Sequence, residues 1–541
     1  MFKKAFGLAA AASAAAAMVT GVWAQTGDLA KGKSIEELGR VVFPTSCTPQ
    51  AQAQFERALA MLHSFFFPET IKAFSAVAET DPNCAIAYWG IAVSQRPNPL
   101  VGPFDAATLK RGLEAVQKGK AIGAKTERER DWLAAIEEFY NDYDKVDQDT
   151  RAKNYEKAME ALAKKYPDDV EAKIFHALAL NETFDHKTMD NLVKAIEILE
   201  PIDKQYPDHP GVTHYLLHSY DFPALADRGV PAANKYAKIA PAAPHALHMP
   251  AHIYSMVGMW DASIASNLAS VAVAKEYTEK SKLDGVLAGV PHAYDFMEYA
   301  YLQLGQDAKA KALIEENAAI QKVVGPQLAG RMAQAAVPAR YMLERQDWRG
   351  AAQLKPLGFD IPPAEAVTHF ARALGAARIG DVAAAQADVA KLIEIRAGLE
   401  KANQSYWAGQ VEIQVLAAQA WIAQAQSKPE EALKFMRAAA DLEDSSEKHV
   451  AMENRFYPMR ELLGDLLMEQ GQAGEALKTY EASMKNARER LRGFYGAAKA
   501  AEALGDKQKA TTYFTELLRL TKNADTDRPE IRAAKQALAA R

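Results

Sequence analysis

Amphipathic, alanine-rich segments follow one another along almost the whole chain, and glycine and proline lie mainly between them. No stretch sustains the alternation of apolar and polar residues that is typical of a half-buried strand. The segments come in pairs of roughly 12–15 residues, an arrangement in which each helical hairpin buries its apolar face against the next one. The sequence therefore predicts an all-α chain built as a solenoid of helical hairpins.

Residues 460–483 (RELLGDLLMEQGQAGEALKTYEAS) are the clearest single unit of this pattern. Gly464 stands where two paired helices would cross, and Tyr480 stands where the second helix would pack against its neighbours. Residues 494–514 repeat this order of small and aromatic residues. These units resemble tetratricopeptide repeats of an exported bacterial type, and the resemblance covers most of the chain. It implies a right-handed superhelix whose first helices line a concave groove.

The N-terminus has the pattern of a secretory signal peptide. Two lysines precede an apolar run over residues 5–19, and Val22-Trp23-Ala24 offers a small-residue cleavage site. A membrane anchor is the alternative, but the apolar run is short and is followed by polar sequence. We therefore expect residues 1–24 to be removed and the mature protein to be periplasmic or secreted, with no membrane span after cleavage.

Breaks in the helical pattern suggest how the mature chain is divided. Residues 25–50 are expected to form an N-terminal leader. Residues 51–354 are expected to form an N-terminal tetratricopeptide-like solenoid that carries a histidine-rich groove. A proline-containing break at residues 355–364 (KPLGFDIPPA) then separates a C-terminal solenoid over residues 355–541.

The charge balance argues against a nucleic-acid partner. The chain has 64 lysines and arginines against 69 aspartates and glutamates, a formal net charge of −5. Removal of the two signal-peptide lysines would bring this charge to −7, since 62 basic residues would face the same 69 acids. No basic face of the kind that binds phosphate backbones is evident. We therefore expect no nucleic acid among the partners.

Cys47 and Cys84 are the two cysteines of the chain. Export to an oxidising compartment predicts a disulfide between them. A metal or redox pair is the alternative, but the Cys-x-x-Cys spacing typical of such sites is missing from the sequence.

Seven of the twelve histidines lie between His209 and His292, and most of them recur in register after three prolines. The segments after Pro210, Pro244 and Pro291 read GVTHYLLHSYD, HALHMPAHIYS and HAYDFMEYAYL. Spacings of three and four residues place side chains on one face of a helix. The candidate ligands in this register are His214, His218, His245, His248, His252 and His292.

Imidazoles that meet in a groove are a ligand set for divalent transition metals such as zinc or copper. A pair at i and i+4 can chelate one ion, and a third ligand from a neighbouring helix would complete the set. Polar residues on the same helix faces could be further ligands or could orient the imidazoles. These residues are Asp221, Asp295, Glu298 and Tyr299.

Three functions remain open on this sequence. The first is an exported binding protein whose groove holds a transition-metal ion, or a metal-bearing or small polar ligand, through its histidines. The second is a metal-dependent enzyme that acts on a small substrate in that groove. The third is a scaffold that binds a protein or peptide without metal, and histidines that only make hydrogen bonds would be compatible with it.

Overall fold

The computed structural model of the protein describes residues 37–540. The predicted signal peptide and the first part of the predicted leader lie outside these residues. Within them the chain forms 26 helices and two short strands, and the strands form one parallel pair. This confirms the all-α solenoid that the sequence predicts.

The first half of the described chain contains α1 (Pro49–His63), α2 (Phe67–Thr80), α3 (Ile86–Ser94), α4 (Ala106–Ile122), α5 (Glu127–Tyr140), α6 (Gln148–Lys165), α7 (Val170–Glu182), α8 (Asp190–Gln205), α9 (Pro210–Tyr220), α10 (Ala226–Ile239), α11 (Pro244–His248), α12 (Pro250–Val257) and α13 (Trp260–Lys280). The second half contains β1 (Val286–Leu287), α14 (Gly289–Gln303), α15 (Asp307–Ala318), β2 (Val323–Val324), α16 (Gln327–Glu344), α17 (Trp348–Ala352), α18 (Pro362–Arg378), α19 (Val382–Lys401), α20 (Ser405–Ala425), α21 (Pro429–Asp444), α22 (Met459–Glu469), α23 (Ala473–Asn486), α24 (Leu491–Ala503), α25 (Lys507–Leu520) and α26 (Pro529–Ala539).

Each helix packs mainly against the helices that precede and follow it in the chain, as in a solenoid. The repeated close contact is between an aromatic ring and a glycine. A Cβ atom added to Gly464 would lie 2.6 Å from the ring of Tyr480, and one added to Gly496 would lie 2.4 Å from the same ring. Gly90 lies against Phe74 in the same way. The small residue predicted at the helix crossing is therefore required by the thickness of the ring.

The C-terminal helices return to the middle of the chain. Apolar side chains of α24–α26 share a core with those of α13–α15. Buried Arg528 also donates to the carboxylate of Asp307 through Nη2 and Nε, at 2.6 and 2.9 Å. The predicted boundary between residues 354 and 355 falls between α17 and α18, which pack against each other.

The connection between α21 and α22 lies inside the superhelix rather than on its surface, and we call it the inner loop (residues 445–458). Its Glu447 N–H donates to the main-chain carbonyl of His186 at 2.8 Å. Its Lys448 ammonium donates to Asp221 at 2.7 Å, with both side chains about 2% exposed. The inner loop thus links the second half of the chain to the histidine-bearing helices.

Cys47 and Cys84 are joined by a disulfide, as the sequence predicts, and it ties the extended segment before α1 to the start of α3. Phe43 in that segment is fully buried between the rings of Phe55 and Trp132. None of the described helices is both long and apolar enough to cross a bilayer.

We expect the double variant Cys47→Ser/Cys84→Ser to be less stable than the parent by about 2–4 kcal/mol, because the bond closes a loop with a sequence separation of 37. Urea unfolding monitored by tryptophan fluorescence measures the difference. An unchanged midpoint would contradict this role of the disulfide.

Candidate metal centre

Four short helices carry the six histidines of the predicted site. Pro210 and Pro244 are the first residues of α9 and α11, where their missing N–H groups cost nothing. A third proline, Pro250, lies within the segment expected to be one helix and divides it into α11 and α12. The six histidines come together in two groups of three.

The first histidine cluster consists of His214, His218 and His245. The Nε2 atom of His214 lies 3.1 Å from the Nε2 atoms of both other histidines. The Nδ1–H of His214 donates to the main-chain carbonyl of His63 at 2.6 Å. A carbonyl oxygen only accepts, so the Nε2 lone pair of His214 is directed into the cluster.

The second histidine cluster consists of His248, His252 and His292. The Nε2 atoms of His248 and His252 are 3.0 Å apart. The ring centroid of His292 lies 4.7 Å from that of His248 and 5.9 Å from that of His252. The three rings therefore surround one point from two neighbouring parts of the solenoid, α11–α12 and α14.

Hydrogen bonds determine which nitrogen of His248 and His252 carries the proton. Asn267 donates through Nδ2 to the carbonyl of Ser263 at 2.9 Å, so its Oδ1 faces Nδ1 of His248, which donates to it at 2.6 Å. Nδ1 of His252 donates to the carboxylate of Asp221 at 2.9 Å. Both neutral rings consequently direct Nε2 lone pairs at each other across 3.0 Å.

Two facing lone pairs repel unless a cation lies between them. A proton is a poor candidate near neutral pH, because burial lowers the pKa of His248 to about 4 and lowers that of His252 well below its usual range. Burial likewise lowers the pKa of His292 and of the three histidines of the first cluster. Both clusters therefore consist of neutral imidazoles, the form that binds metal ions.

A cavity of about 310 Å³ adjoins both clusters. Five of the six histidines line it, and most of its remaining wall is apolar. Its apolar lining includes Phe65, Phe66, Phe67, Ile71, Val101, Ala274, Leu287, Val324 and Val450. Among the described lining residues there is no aspartate, glutamate or lysine, and the exposed Arg111 is the single guanidinium. This volume matches a small ligand rather than a folded partner.

The four polar candidates of the sequence lie in different surroundings. Asp221 reaches the second histidine cluster, where it orients His252 and is itself neutralised by Lys448. Asp295 and Glu298 instead form buried ion pairs with Arg340. The hydroxyl of Tyr299 accepts a hydrogen bond from Arg490. Asp295, Glu298 and Tyr299 thus contact arginines in a separate ionic core. Burial of a carboxylate is costly unless a cation lies beside it, which accounts for the two acids.

A third group of potential ligands, His63, Glu171 and His209, is already satisfied by hydrogen bonds. His63 contacts Tyr215 and Glu171, each at 3.0 Å. His209 donates through Nε2 to Glu171 at 2.9 Å, while its Nδ1 accepts from the backbone N–H of Val212 at the start of α9. This group has the character of a structural network.

Sequence reasoning missed several residues that position the site. Asn267, which orients His248, lies on α13 outside the proline-based register. Lys448 lies 227 residues from Asp221, so no local pattern joins them. Phe65 packs on the first histidine cluster, with ring centroids 4.4 Å from His214 and 5.3 Å from His245. The run of three phenylalanines at the start of α2, residues 65–67, is the sequence signal for this contact.

No protein-family model matches the chain, and no curated protein matches it. One solved structure that it resembles is described as "Crystal structure of APC/C hetero-tetramer Cut9-Hcn1". The sequence identity is 11% and the TM-score 0.26, with 91% of this chain and 97% of that chain covered. A TM-score this low carries no argument about function, so the tetratricopeptide-like fold rests on the helical hairpins described above.

Glu453 of the inner loop is a buried acid beside the ionic core. Burial raises the pKa of Glu453 from 4.5 to about 8, with nearby Arg340 opposing the shift. As pH rises, the unfolded chain ionises this group before the folded protein does. Folding therefore loses stability between these two pKa values.

We expect Glu453→Gln to become progressively more stable relative to the parent as pH rises from about 5 to about 8, because the glutamine cannot ionise. Urea unfolding across this range, in the presence of a chelator, measures the difference. Glu279→Gln, at an exposed position, is the matched control. A stability difference that does not change with pH would refute this role of Glu453.

Proposed function

We propose that the protein is an exported binding protein that holds two transition-metal ions, one at each histidine cluster, inside a tetratricopeptide-like solenoid. One observation carries the proposal. The Nε2 lone pairs of His248 and His252 face each other at 3.0 Å, while hydrogen bonds to Asn267 and Asp221 keep both protons on Nδ1. A metal ion between these nitrogens would turn a repulsion into two coordinate bonds.

Zinc and copper suit these ligands best. Both ions accept neutral imidazole, whereas magnesium and calcium prefer oxygen. Three protein ligands per ion also leave a coordination position open, as in catalytic rather than structural zinc sites. Proposed export to the periplasm or beyond rests on residues 1–24, which lie outside the described residues.

A metal-dependent enzyme is the second candidate. The cavity of about 310 Å³ adjoins both clusters, so a small substrate could reach an open coordination position on either ion. The protein-interaction scaffold has the support of the fold class alone, since the histidines line a cavity whose volume suits a small ligand.

We expect the mature protein, purified without a histidine tag and reconstituted with zinc or copper, to bind two ions per chain. His248→Asn/His252→Asn should reduce the stoichiometry to one, and so should His214→Asn/His245→Asn, because each double variant removes two ligands from one cluster. Mass spectrometry of metal content, with circular dichroism to confirm folding, measures both effects.

The matched control is His176→Asn, because His176 lies on α7 and contacts Glu156 rather than either cluster. This variant should keep two ions. A parent protein that binds neither zinc nor copper after reconstitution would rule out the metal proposal and leave a cavity for organic ligands.

A further inference from the structure

The two histidine clusters lie side by side. The ring centroid of His218 in the first cluster is 6.3 Å from that of His252 in the second, and His245 is 6.1 Å from His248. The longest spacing within the first cluster, between His218 and His245, is 6.2 Å. The two shortest spacings between the clusters are thus close to the longest spacing within one. Two ions, one in each cluster, would therefore be neighbours that one small ligand could bridge, as in two-metal sites about 3.5–4 Å apart.

The surroundings supply little negative charge to such a pair. All six ligands are neutral, and the nearest acid, Asp221, already forms a buried ion pair with Lys448. No described residue lining the cavity is an aspartate or a glutamate. Two divalent ions would bring a charge of +4 into a mostly apolar site, whereas two monovalent ions would bring +2. Burial of uncompensated charge is costly, so of the two oxidation states of copper the site favours the monovalent one.

We propose, building on the metal sites above, that the pair is copper in its monovalent state and that it binds one molecule of dioxygen between the two ions. Each copper(I) gives one electron to dioxygen and becomes copper(II). Dioxygen gains two electrons and becomes peroxide, which forms a bond to each copper while its O–O bond stays intact. No proton and no further reductant takes part.

This reaction leaves the charge of the site unchanged. Two copper(I) ions carry +2, and two copper(II) ions with one peroxide also carry +2. The protein therefore needs no additional anion to stabilise the oxidised state, which suits a cavity without carboxylates. A zinc pair would lack this route, because zinc does not change its oxidation state.

The wall of the cavity is suited to the same ligand. Phe65 lines the cavity and covers the first cluster. Phe296, which is not among the lining residues, packs against the second cluster, with its ring centroid 4.8 Å from those of both His248 and His252. Dioxygen is small and apolar and can enter such a cavity, whereas hydrated anions would lose their water on entry.

The test uses the full mature chain loaded anaerobically with copper(I). After the copper content is measured, oxygen is admitted, and oxygen uptake and the electron paramagnetic resonance of copper(II) are recorded. We expect two coppers per chain, one dioxygen consumed per two coppers, and a weak copper(II) signal, because two copper(II) ions that share a bridge couple magnetically. Zinc-loaded protein should take up no oxygen.

Two single variants test whether both copper ions are needed for oxygen uptake. His245→Asn damages the first cluster, and His292→Asn damages the second without loss of a hydrogen bond at Nδ1, which has no partner among the described residues. Each variant should retain one copper and lose oxygen uptake, while His176→Asn should behave as the parent.

The outcomes distinguish the two proposals. A parent that binds no copper contradicts the metal sites themselves. A parent that binds two coppers but takes up no oxygen, gives the full signal of isolated copper(II), or releases its oxygen at once as hydrogen peroxide overturns the dioxygen proposal alone. Oxygen uptake that persists in both single variants would also overturn it, because one copper would then suffice.

Discussion

The repulsion between buried imidazole lone pairs is the constraint on which the centre of this protein depends. Six histidines from four helices between residues 210 and 303 bring neutral nitrogens together, and those of His248 and His252 are 3.0 Å apart. A proton shared between two imidazoles would relieve this repulsion, but burial disfavours the charged imidazolium that it would create. The surrounding hydrogen bonds to Asn267 and Asp221 hold the unfavourable arrangement in place.

The superhelix provides the rigidity for this arrangement by surrounding it with buried polar networks. Arg490 binds Glu344 and Glu461 while Arg340 binds Asp295, and these side chains are almost fully excluded from solvent. Removing one member of such a pair leaves an uncompensated buried charge, so each network favours the helix arrangement in which its members meet. Together with the inner loop they separate an ionic core from the cavity that is lined by neutral histidines.

Much of the fold could be predicted from local sequence. Helix period, the glycine at the crossing against Tyr480, the disulfide and the common helix face of His214 and His218 all depend on residues close in sequence or on simple chemistry. The grouping of the histidines into two clusters could not be predicted, because it depends on the positions of α9, α11 and α14 relative to one another. Packing of the whole solenoid sets those positions. Pro250 changes them by interrupting the helix within which His248 and His252 were expected to lie.

The sequence by itself determined that this chain is helical, that its helices pair, and that its histidines lie in register, because helix geometry repeats every 3.6 residues. Only the tertiary structure decided which histidines form each cluster and which carboxylate makes a hydrogen bond to one of them. Asp221 reaches His252 and Lys448, whereas Asp295 and Glu298, equally plausible by spacing, turn to Arg340. The physical reason is that a buried carboxylate pairs with the nearest cation, and nearness across the solenoid depends on superhelical packing rather than on sequence distance.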